Sequence, residues 1–386
     1  MGKCILKNKH STESIINFLH GNKQLQKDAN ATNLSVSRYY LASTSVGNYA
    51  LFGGGWAGSY YMENFYDVID AYDTNLTRST PTALSVARRY LTATSLDNYA
   101  LFGGGQKTGQ KNDATVDAYD TNLSRSTPTA LSVARYYLAS TSVGDYALFG
   151  GGLEPVTNTV DAYDINLTRS TTNLSEARCR LASTSIGNYA LFGGGYTSSY
   201  FSTVDAYDTN LVRSTPTALS AATMDLAATS VGGYALFGGG QTAKNTVNAY
   251  DENLTRSTPT VLSVARRDLT ATSLDYYALF AGGHDYSSSR LNVVDAYDTN
   301  LTRSIPSALS NVSDILTSTS INNYALVCAA SKINVYEEVN DTMPVTVYPK
   351  TKYKFSDMQA ELESNEYKSV TVTPPGYIKV NNTVVE

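Results

Sequence analysis

Eight residues, NYALFGGG at 48–55, come back along this chain often enough to decide its architecture. They recur as NYALFGGG from Asn98, DYALFGGG from Asp145, NYALFGGG from Asn188 and GYALFGGG from Gly233. They return as YYALFAGG from Tyr276 and, more altered, as NYALVCAA from Asn323. The tyrosines of these copies, Tyr49, Tyr99, Tyr146, Tyr189, Tyr234, Tyr277 and Tyr324, lie 50, 47, 43, 45, 43 and 47 residues apart. A period in the forties marks a repeat protein, in which each unit buries its apolar face against its neighbours. The 386 residues therefore read as one large array rather than several unrelated domains.

One unit shows what each repeat builds. In RRYLTATSLDNYALFGGG (88–105), Leu91 to Ser95 alternate in period 2, which predicts a strand. Leu-Asp-Asn turns it back into Tyr99–Phe102, an apolar run expected to be buried on both faces. The three glycines that follow fit a place where no side chain has room or where φ is positive. A polar loop leads to a third strand, TVDAYD (115–120), and Asp120 and Asn122 supply the next turn. TPTALSVA (127–134) is then expected as a fourth strand, with Pro128 near its start placing it on an outer edge.

Four short antiparallel strands per unit of about 45 residues make a blade of a β-propeller. Third strands of the VDAYD kind begin at Ile69, Val116, Val160, Val204, Val247, Val294 and, as INVYE, at Ile333, so seven blades are expected. TPTALSVAR-like segments follow only six of them. The missing one is at the other end of the chain, where ATNLSVSR (31–38) matches TTNLSEAR (171–178). An N-terminal strand should thus complete the last blade and close the ring, leaving no exposed sheet edge. The expected fold is an all-β, seven-bladed propeller over 30–340. Residues 1–29 form an N-terminal arm, and 341–386 a small C-terminal β module with VTVY, YKF, SVTVT and YIKV runs. That module is short for independent folding, and attachment or oligomerisation is one reading of it.

Composition narrows the partners. Charged residues are 16% of the chain, below the ~25% usual for soluble domains. A net charge of −5 leaves no basic footprint, so no nucleic acid is expected. No 18-residue apolar run is present, so no membrane span is expected either. Cys4, Cys179 and Cys328 show no paired spacing and leave the redox compartment open. The start of the chain lacks the apolar run of a signal peptide. The Asn-Leu-Thr/Ser triplets at Asn75, Asn122, Asn166, Asn253 and Asn300 are accordingly read as turn asparagines.

The order Arg88, apolar strand, turn, Tyr99, Gly103, Gly104, variable loop, Val116, Tyr119, Asp120 resembles the kelch repeat over about four fifths of the chain. The resemblance implies a propeller that acts mostly as an interaction module, with galactose-oxidase-type enzymes as a catalytic branch. The chain departs from it where kelch blades carry a tryptophan at the fourth strand. Thr-Arg-Ser-Thr-Pro stands there, and the one tryptophan, Trp56, lies in a loop.

No enzyme is called for. An oxidase-type copper site needs clustered histidines, and of His10, His20 and His284 only the last falls within the ring. No sialidase-type Asp-box turn, calcium loop or phosphate loop occurs, and no cofactor or metal is expected. The paired aspartates such as Asp70 and Asp73 recur in nearly every blade, whereas a catalytic pair is needed once. They are expected to close turns and to meet Arg78, Arg125, Arg169, Arg213, Arg256 and Arg303.

Because the framework barely changes, the differences between units are informative. They fall in the loop after the glycines and in the pair after the SVAR arginine: Tyr39-Tyr40, Arg89-Tyr90, Tyr136-Tyr137, Cys179-Arg180, Met224-Asp225, Arg267-Asp268 and Asp314-Ile315. In a four-stranded blade both places lie on one face of the disc. Their tyrosines, arginines and aspartates are residue types of recognition surfaces. The candidate binding residues are Tyr39, Tyr40, Trp56, Tyr60, Tyr61, Arg89, Tyr90, Tyr136, Tyr137, Arg180, Tyr196, Asp225, Arg267, Asp268 and His284. The expected function is recognition or adhesion, with a protein or glycan as partner; a glycan-acting or galactose-oxidase-like enzyme and a scaffold without a specific ligand are the alternatives. Near-identical repeats point to recent duplication of the kind seen in bacterial or phage surface proteins, in which 341–386 would serve as the anchor.

Overall fold

The computed structural model describes residues 23–28, 31–59, 62–241, 244–313, 316–340, 345–347, 368–373, 377–380 and 383–385. Among them there is no helix, so none is long and apolar enough to cross a membrane. Seven four-stranded antiparallel sheets form the blades of a propeller. Blade 1 holds Ala42–Val46, Tyr49–Gly53, Ile69–Asp73 and Arg78–Ser79, and blade 2 holds Thr92–Leu96, Tyr99–Gly103, Val116–Asp120 and Arg125–Ser126. Blades 3 to 7 begin with Ala139–Val143, Ala182–Ile186, Ala227–Val231, Thr270–Ser273 and Leu316–Ile321. The first strands of successive blades pack on one another from blade 1 round to blade 7 and back to blade 1, so they line the axis. By its packing the chain divides into Leu25–Glu337 and a second unit, Met1–Gln24 with Glu338–Glu386. In the latter, Val345–Val347, Lys368–Thr373, Tyr377–Val380 and Thr383–Val385 form a four-stranded antiparallel sheet. The YKF run and residues 1–22 lie outside the described residues.

The second strand is apolar on both faces because both faces meet a neighbouring blade. Ala50, Leu51 and Phe52 are fully buried, and their equivalents repeat the pattern. Phe52 meets Tyr72 of the third strand edge-on, ring centres 5.8 Å apart, and the Tyr72 hydroxyl donates to the Thr32 carbonyl at 2.8 Å. That keeps a buried phenol satisfied.

The fourth strands differ from the expectation. They are the two residues Arg-Ser ahead of the proline, as at Arg125–Ser126, and TPTALSVA is not a strand. Proline is the reason: it brings no N–H to the ladder. Blade 3 has Thr172 where the other five such segments have Pro81, Pro128, Pro216, Pro259 and Pro306. There alone the fourth strand runs on, Arg169–Asn173, with Thr172 paired to Val160. The segment after the proline is a strap between blades. Leu84 N–H donates to the Asp67 carbonyl of blade 1 at 2.7 Å, and Ser85 N–H to Asp117 Oδ1 of blade 2 at 3.0 Å. Residues 31–38 do the same between blades 7 and 1, with Leu34 donating to the Ser331 carbonyl and Ser35 to Asp70 Oδ1. They are therefore a strap and not the closing strand. An N-terminal strand does close the ring, but it is Lys23–Asp28, outermost in blade 7 beside Lys332–Asn340.

Five of the seven straps end in an arginine buried with an aspartate of its own blade. Arg38 Nη1 donates to Asp70 Oδ2 at 2.8 Å, Nε to the Gly54 carbonyl at 2.7 Å and Nη2 to the Phe52 carbonyl at 3.0 Å. Arg88–Asp117, Arg135–Asp161, Arg178–Asp205 and Arg266–Asp295 repeat the pair at 2.7–2.8 Å, every side chain fully buried. Blades 5 and 7 lose both charges together, carrying Thr223 with Asn248 and Ser313 with Asn334. The aspartates also meet the outer arginines as expected, Arg125 at 3.1 Å, Arg213 and Arg303 at 2.9 Å, and Arg78 and Arg169 at 3.7 Å. Arg256 donates instead to Asn248 Oδ1 at 3.3 Å.

The first glycine of each triplet receives the phenylalanine of the next blade. A Cβ on Gly103 would stand 2.6 Å from the Phe149 ring, and Gly53, Gly150, Gly193 and Gly238 stand 2.8 Å from Phe102, Phe192, Phe237 and Phe280. Blade 6 has Ala281 at this position, and blade 7 then has Val327 in place of phenylalanine, both in one buried cluster.

Two cycles of substitutions test these couplings. Arg135→Thr alone should cost about 3–5 kcal/mol, because it strands the Asp161 charge. Adding Asp161→Asn, the blade 5 combination, should recover much of that in denaturant unfolding. Simple addition of the two losses would show that the pair is not a unit. Likewise Gly103→Ala should cost about 1–3 kcal/mol by overpacking, and Phe149→Val should make the same alanine far better tolerated. Equal costs in both backgrounds would refute the contact.

Candidate functional site

The strap arginine is followed by the variable pair, and the backbone sends its two members in different directions. The first member turns out onto the loop that follows the glycines. Tyr39 pairs with Trp56, Arg89 with Gln106, Tyr136 with Leu153, Cys179 with Tyr196 and Arg267 with His284, each as an antiparallel bridge. In blade 5 the Gln241 N–H donates to the Met224 carbonyl at 2.8 Å. The two variable regions of the sequence are thus in register on one face.

The second member turns inward. Tyr90 N–H donates to the Tyr40 carbonyl at 3.0 Å, Tyr137 to Tyr90 at 3.4 Å and Arg180 to Tyr137 at 3.0 Å. Asp225 then donates to Arg180 at 3.2 Å and Asp268 to Asp225 at 3.0 Å. Each of these residues stands two positions before the first strand of its blade, and the first strands line the axis. The six residues form an arc around one end of the axis, its mouth. All six are left-handed, with φ of 57°, 57°, 52°, 53°, 55° and 53° in chain order. Ile315, the blade 7 equivalent, lies outside the described residues, as do Tyr60 and Tyr61.

The arc is aromatic on one side and charged on the other. The rings of Tyr40 and Tyr90 are 4.3 Å apart and tilted by 53°; those of Tyr90 and Tyr137 are 4.4 Å apart and tilted by 44°. Tyr136 adds to them, 5.8 Å from Tyr90 and 5.0 Å from Tyr137. Burial and a hydrogen bond with Tyr90 hold the Tyr137 phenol far above its ordinary pKa, so it stays neutral. Outside them Arg89 lies over three rings, Tyr90 at 4.9 Å, Phe65 at 5.2 Å and Trp56 at 5.4 Å, and its Nε donates to Gln106 Oε1 at 3.2 Å. These cation–π contacts fix the loop of blade 1 against blade 2.

Arg180 joins the two halves. Its guanidinium lies 4.2 Å from the Tyr137 ring centre, and Nη1 is 3.3 Å from both Asp225 oxygens. Asp268 comes next, with Arg267 Nε at 3.5 Å and His284 Nδ1 at 3.4 Å. Arg267 also donates to Gln241 Oε1. Burial, then the Asp268 charge, push the Asp225 carboxyl up to about 6 against the pull of Arg180. Burial raises Asp268 as well, opposed by His284 and Arg267.

Thirteen of the fifteen sequence-chosen residues are described, and most of them touch. Tyr40, Trp56, Arg89, Tyr90, Tyr136, Tyr137, Arg180, Asp225, Asp268, Arg267 and His284 form one chain of contacts, and Tyr39 is bridged to Trp56. Tyr196 instead stacks on Tyr200 within its own loop, 5.7 Å between centres. Phe65, Gln106 and Gln241 were not chosen from the sequence. Gln106 and Gln241 occupy the position of Trp56, Tyr196 and His284, the residue after the last glycine, and that register identifies them. Among the described residues, no three His, Cys, Asp or Glu side chains gather as a metal-binding group.

No protein-family model matches the chain, and no curated protein matches it. Among solved structures it is similar to that of YjhT, a propeller, with 12% sequence identity and a TM-score of 0.54 over 72% of this chain and 99% of that one. At that identity the two share a fold.

Proposed function

We propose that the chain is a kelch-like recognition propeller, without catalytic chemistry of its own, that binds a protein or glycan at the mouth and the loops around it. One observation carries this reading. The six arc positions require φ near +55°, where glycine is unstrained and other residues cost about 1 kcal/mol or more each. A chain with 27 glycines nevertheless places three tyrosines, an arginine and two aspartates there. Loops free to drift would fill such positions with glycine or asparagine, so these side chains are kept for what they contact.

The opposite face supplies the comparison. Its turns put Leu76, Leu123, Leu167, Leu211, Leu254 and Leu301 at φ of 60–62°, always leucine, and there the gain is packing: each of the first three joins a buried cluster. None of the arc residues belongs to those clusters, although Tyr136 next to them is buried. Their return on the backbone strain is therefore sought in an outside partner.

A second reading, a glycan-acting enzyme, has one observation in its favour. A carboxyl raised to about 6 beside a second carboxylate is the kind of pair general acid–base chemistry uses. Both carboxylates are held by arginines, which fits binding better than proton transfer. Release of product from a glycan by the purified chain, abolished by Asp225→Asn, would establish that reading instead.

The recognition reading is tested on glycan and peptide arrays with the full chain and with Tyr40→Ala, Tyr90→Ala and Tyr137→Ala. Each replacement should weaken binding by about ten-fold or more, as loss of an aromatic anchor does. Each variant should still melt in a single cooperative transition, since the arc backbone and the blades are unchanged. Binding that survives all three unchanged would place the partner elsewhere.

A further inference from the structure

We propose that the partner of the mouth is an uncharged hexopyranose, free or at the end of a glycan, with its C–H face against Tyr40, Tyr90 and Tyr137 and its hydroxyls on Arg180, Asp225 and Asp268. The proposal rests on the recognition reading and narrows it to one ligand chemistry.

Charge is the first reason. Every guanidinium and carboxylate charge of the arc is matched within the protein: Arg180 with Asp225, and Arg267 with Asp268, which His284 Nδ1 also approaches at 3.4 Å. The two guanidinium groups and two carboxylates cancel. On the aromatic side, Arg89 lies against Tyr90 and Glu154 is bonded to Tyr136, again one charge of each sign. An ammonium or a carboxylate on the ligand would lose its hydration and find no unmatched counter-charge among the described residues of the arc.

Hydrogen bonding is the second. A carboxylate offers about four acceptor sites and a guanidinium five donors. Arg180 meets both Asp225 oxygens through a single nitrogen at 3.3 Å, which leaves most of that capacity unused. A donor followed by two acceptors along an arc suits a ligand with neighbouring groups that can accept from the first and donate to the others. Vicinal hydroxyls do this without carrying charge.

Shape is the third. The tyrosine rings are tilted by 53° and 44° in succession, so they form a curved wall. A flat heteroaromatic ring stacks on parallel faces, whereas the C–H edge of a puckered sugar follows a curve. The wall adjoins the hydrogen-bonding arc where the Arg180 guanidinium lies 4.2 Å from the Tyr137 ring centre, so one ring placed there can meet both.

The groups facing Asp225 are Asp268, Arg180 and Arg267, with His284 behind Asp268 and Cys179 on the blade 4 side. Since the Asp225 carboxyl is raised to about 6, acid converts it from acceptor to neutral acid. Affinity should therefore be full at pH 7.5 and about ten-fold weaker at pH 5, where roughly nine tenths of a group with that pKa is protonated.

The experiment is ligand-observed NMR and calorimetry on the full chain. The probes are methyl glycosides of neutral hexoses, the matching uronates and 2-amino sugars, and a basic and an acidic peptide. Neutral glycosides are expected to bind, with the uronates and amino sugars no tighter. Asp225→Asn, which keeps the shape of the side chain, should lower affinity at pH 7.5 by about ten-fold and flatten the pH profile. A uronate or amino sugar preferred ten-fold or more would overturn the proposal, as would a flat profile for the unmodified chain. Peptide binding lost in Tyr90→Ala, with no sugar bound, would overturn it and leave the recognition reading standing. If no probe, and no array ligand, depends on the mouth tyrosines, both fail.

Discussion

The buried arginine–aspartate pair is the interaction on which the blades depend. The Arg38 guanidinium reaches the carbonyls at the end of the second strand, an aspartate on the third and, through that aspartate, the strap from the preceding blade. One ion pair thus ties together three segments that are far apart in sequence. It also explains the last glycine of the triplet, since a Cβ on Gly152 would stand 2.8 Å from the Arg135 side chain. SVAR, GGG and VDAYD are parts of one object. Blade 7 shows this by losing all of them at once: Ser313 replaces the arginine, Asn334 the aspartate, and Cys-Ala-Ala the glycines. The long loop is lost there as well, and Tyr324–Ala329 turns into Lys332–Asn340 through Ala330 and Ser331 alone. The eroded copy is a blade rebuilt without the arginine.

Other differences between the repeats make sense only in pairs across a blade boundary. Thr92 Oγ1 lies 2.7 Å from Ser140 Oγ, Thr270 Oγ1 lies 2.7 Å from Ser318 Oγ, and Thr317 Oγ1 lies 2.6 Å from Ser43 Oγ. Where the first of these positions is Ala42, Ala182 or Ala227, the facing residue is Ala93, Ala228 or Ala271. Ser183 has an alanine opposite and donates instead to the Ser140 carbonyl, at 2.8 Å. A hydroxyl beside the axis is kept where it has a partner. The Thr317–Ser43 pair spans the junction between blades 7 and 1, so ring closure is written into the inner strands as well as into Lys23–Asp28.

The blade count, the second and third strands and the face that varies were legible because each rests on residue type repeated in register. Three features were not. A strap of alternating residues looks like a strand, and only the use of its successive N–H groups on different blades tells them apart. The closing strand KQLQKD resembles no copy of the fourth strand, because an edge strand at the closure asks for backbone pairing and little else. The division of each variable pair was also hidden: Tyr39 and Tyr40 are the same residue, yet one is bridged to a loop and the other lies on the arc. That difference is a matter of φ, which tyrosine does not advertise as glycine would.

Placing the arc on the backbone of six successive blades has a mechanical consequence. Each arc residue is held by an inter-blade hydrogen bond on one side and followed within two residues by an inner strand. The side chains thus start from fixed points, which lowers the ordering cost of binding. The loops outside them are joined across blade boundaries by side chains: Arg89 of blade 2 on Trp56 and Phe65 of blade 1, Asn112 of blade 2 to the Glu154 carbonyl of blade 3, and Arg267 of blade 6 to Gln241 of blade 5. Changing one loop therefore disturbs its neighbour, while changing one arc side chain leaves the backbone ring in place. A repeat protein built this way can alter the mouth one residue at a time without rebuilding a blade. The chain carries that history within itself, since six copies of one framework hold tyrosine three times, arginine once and aspartate twice at the same position.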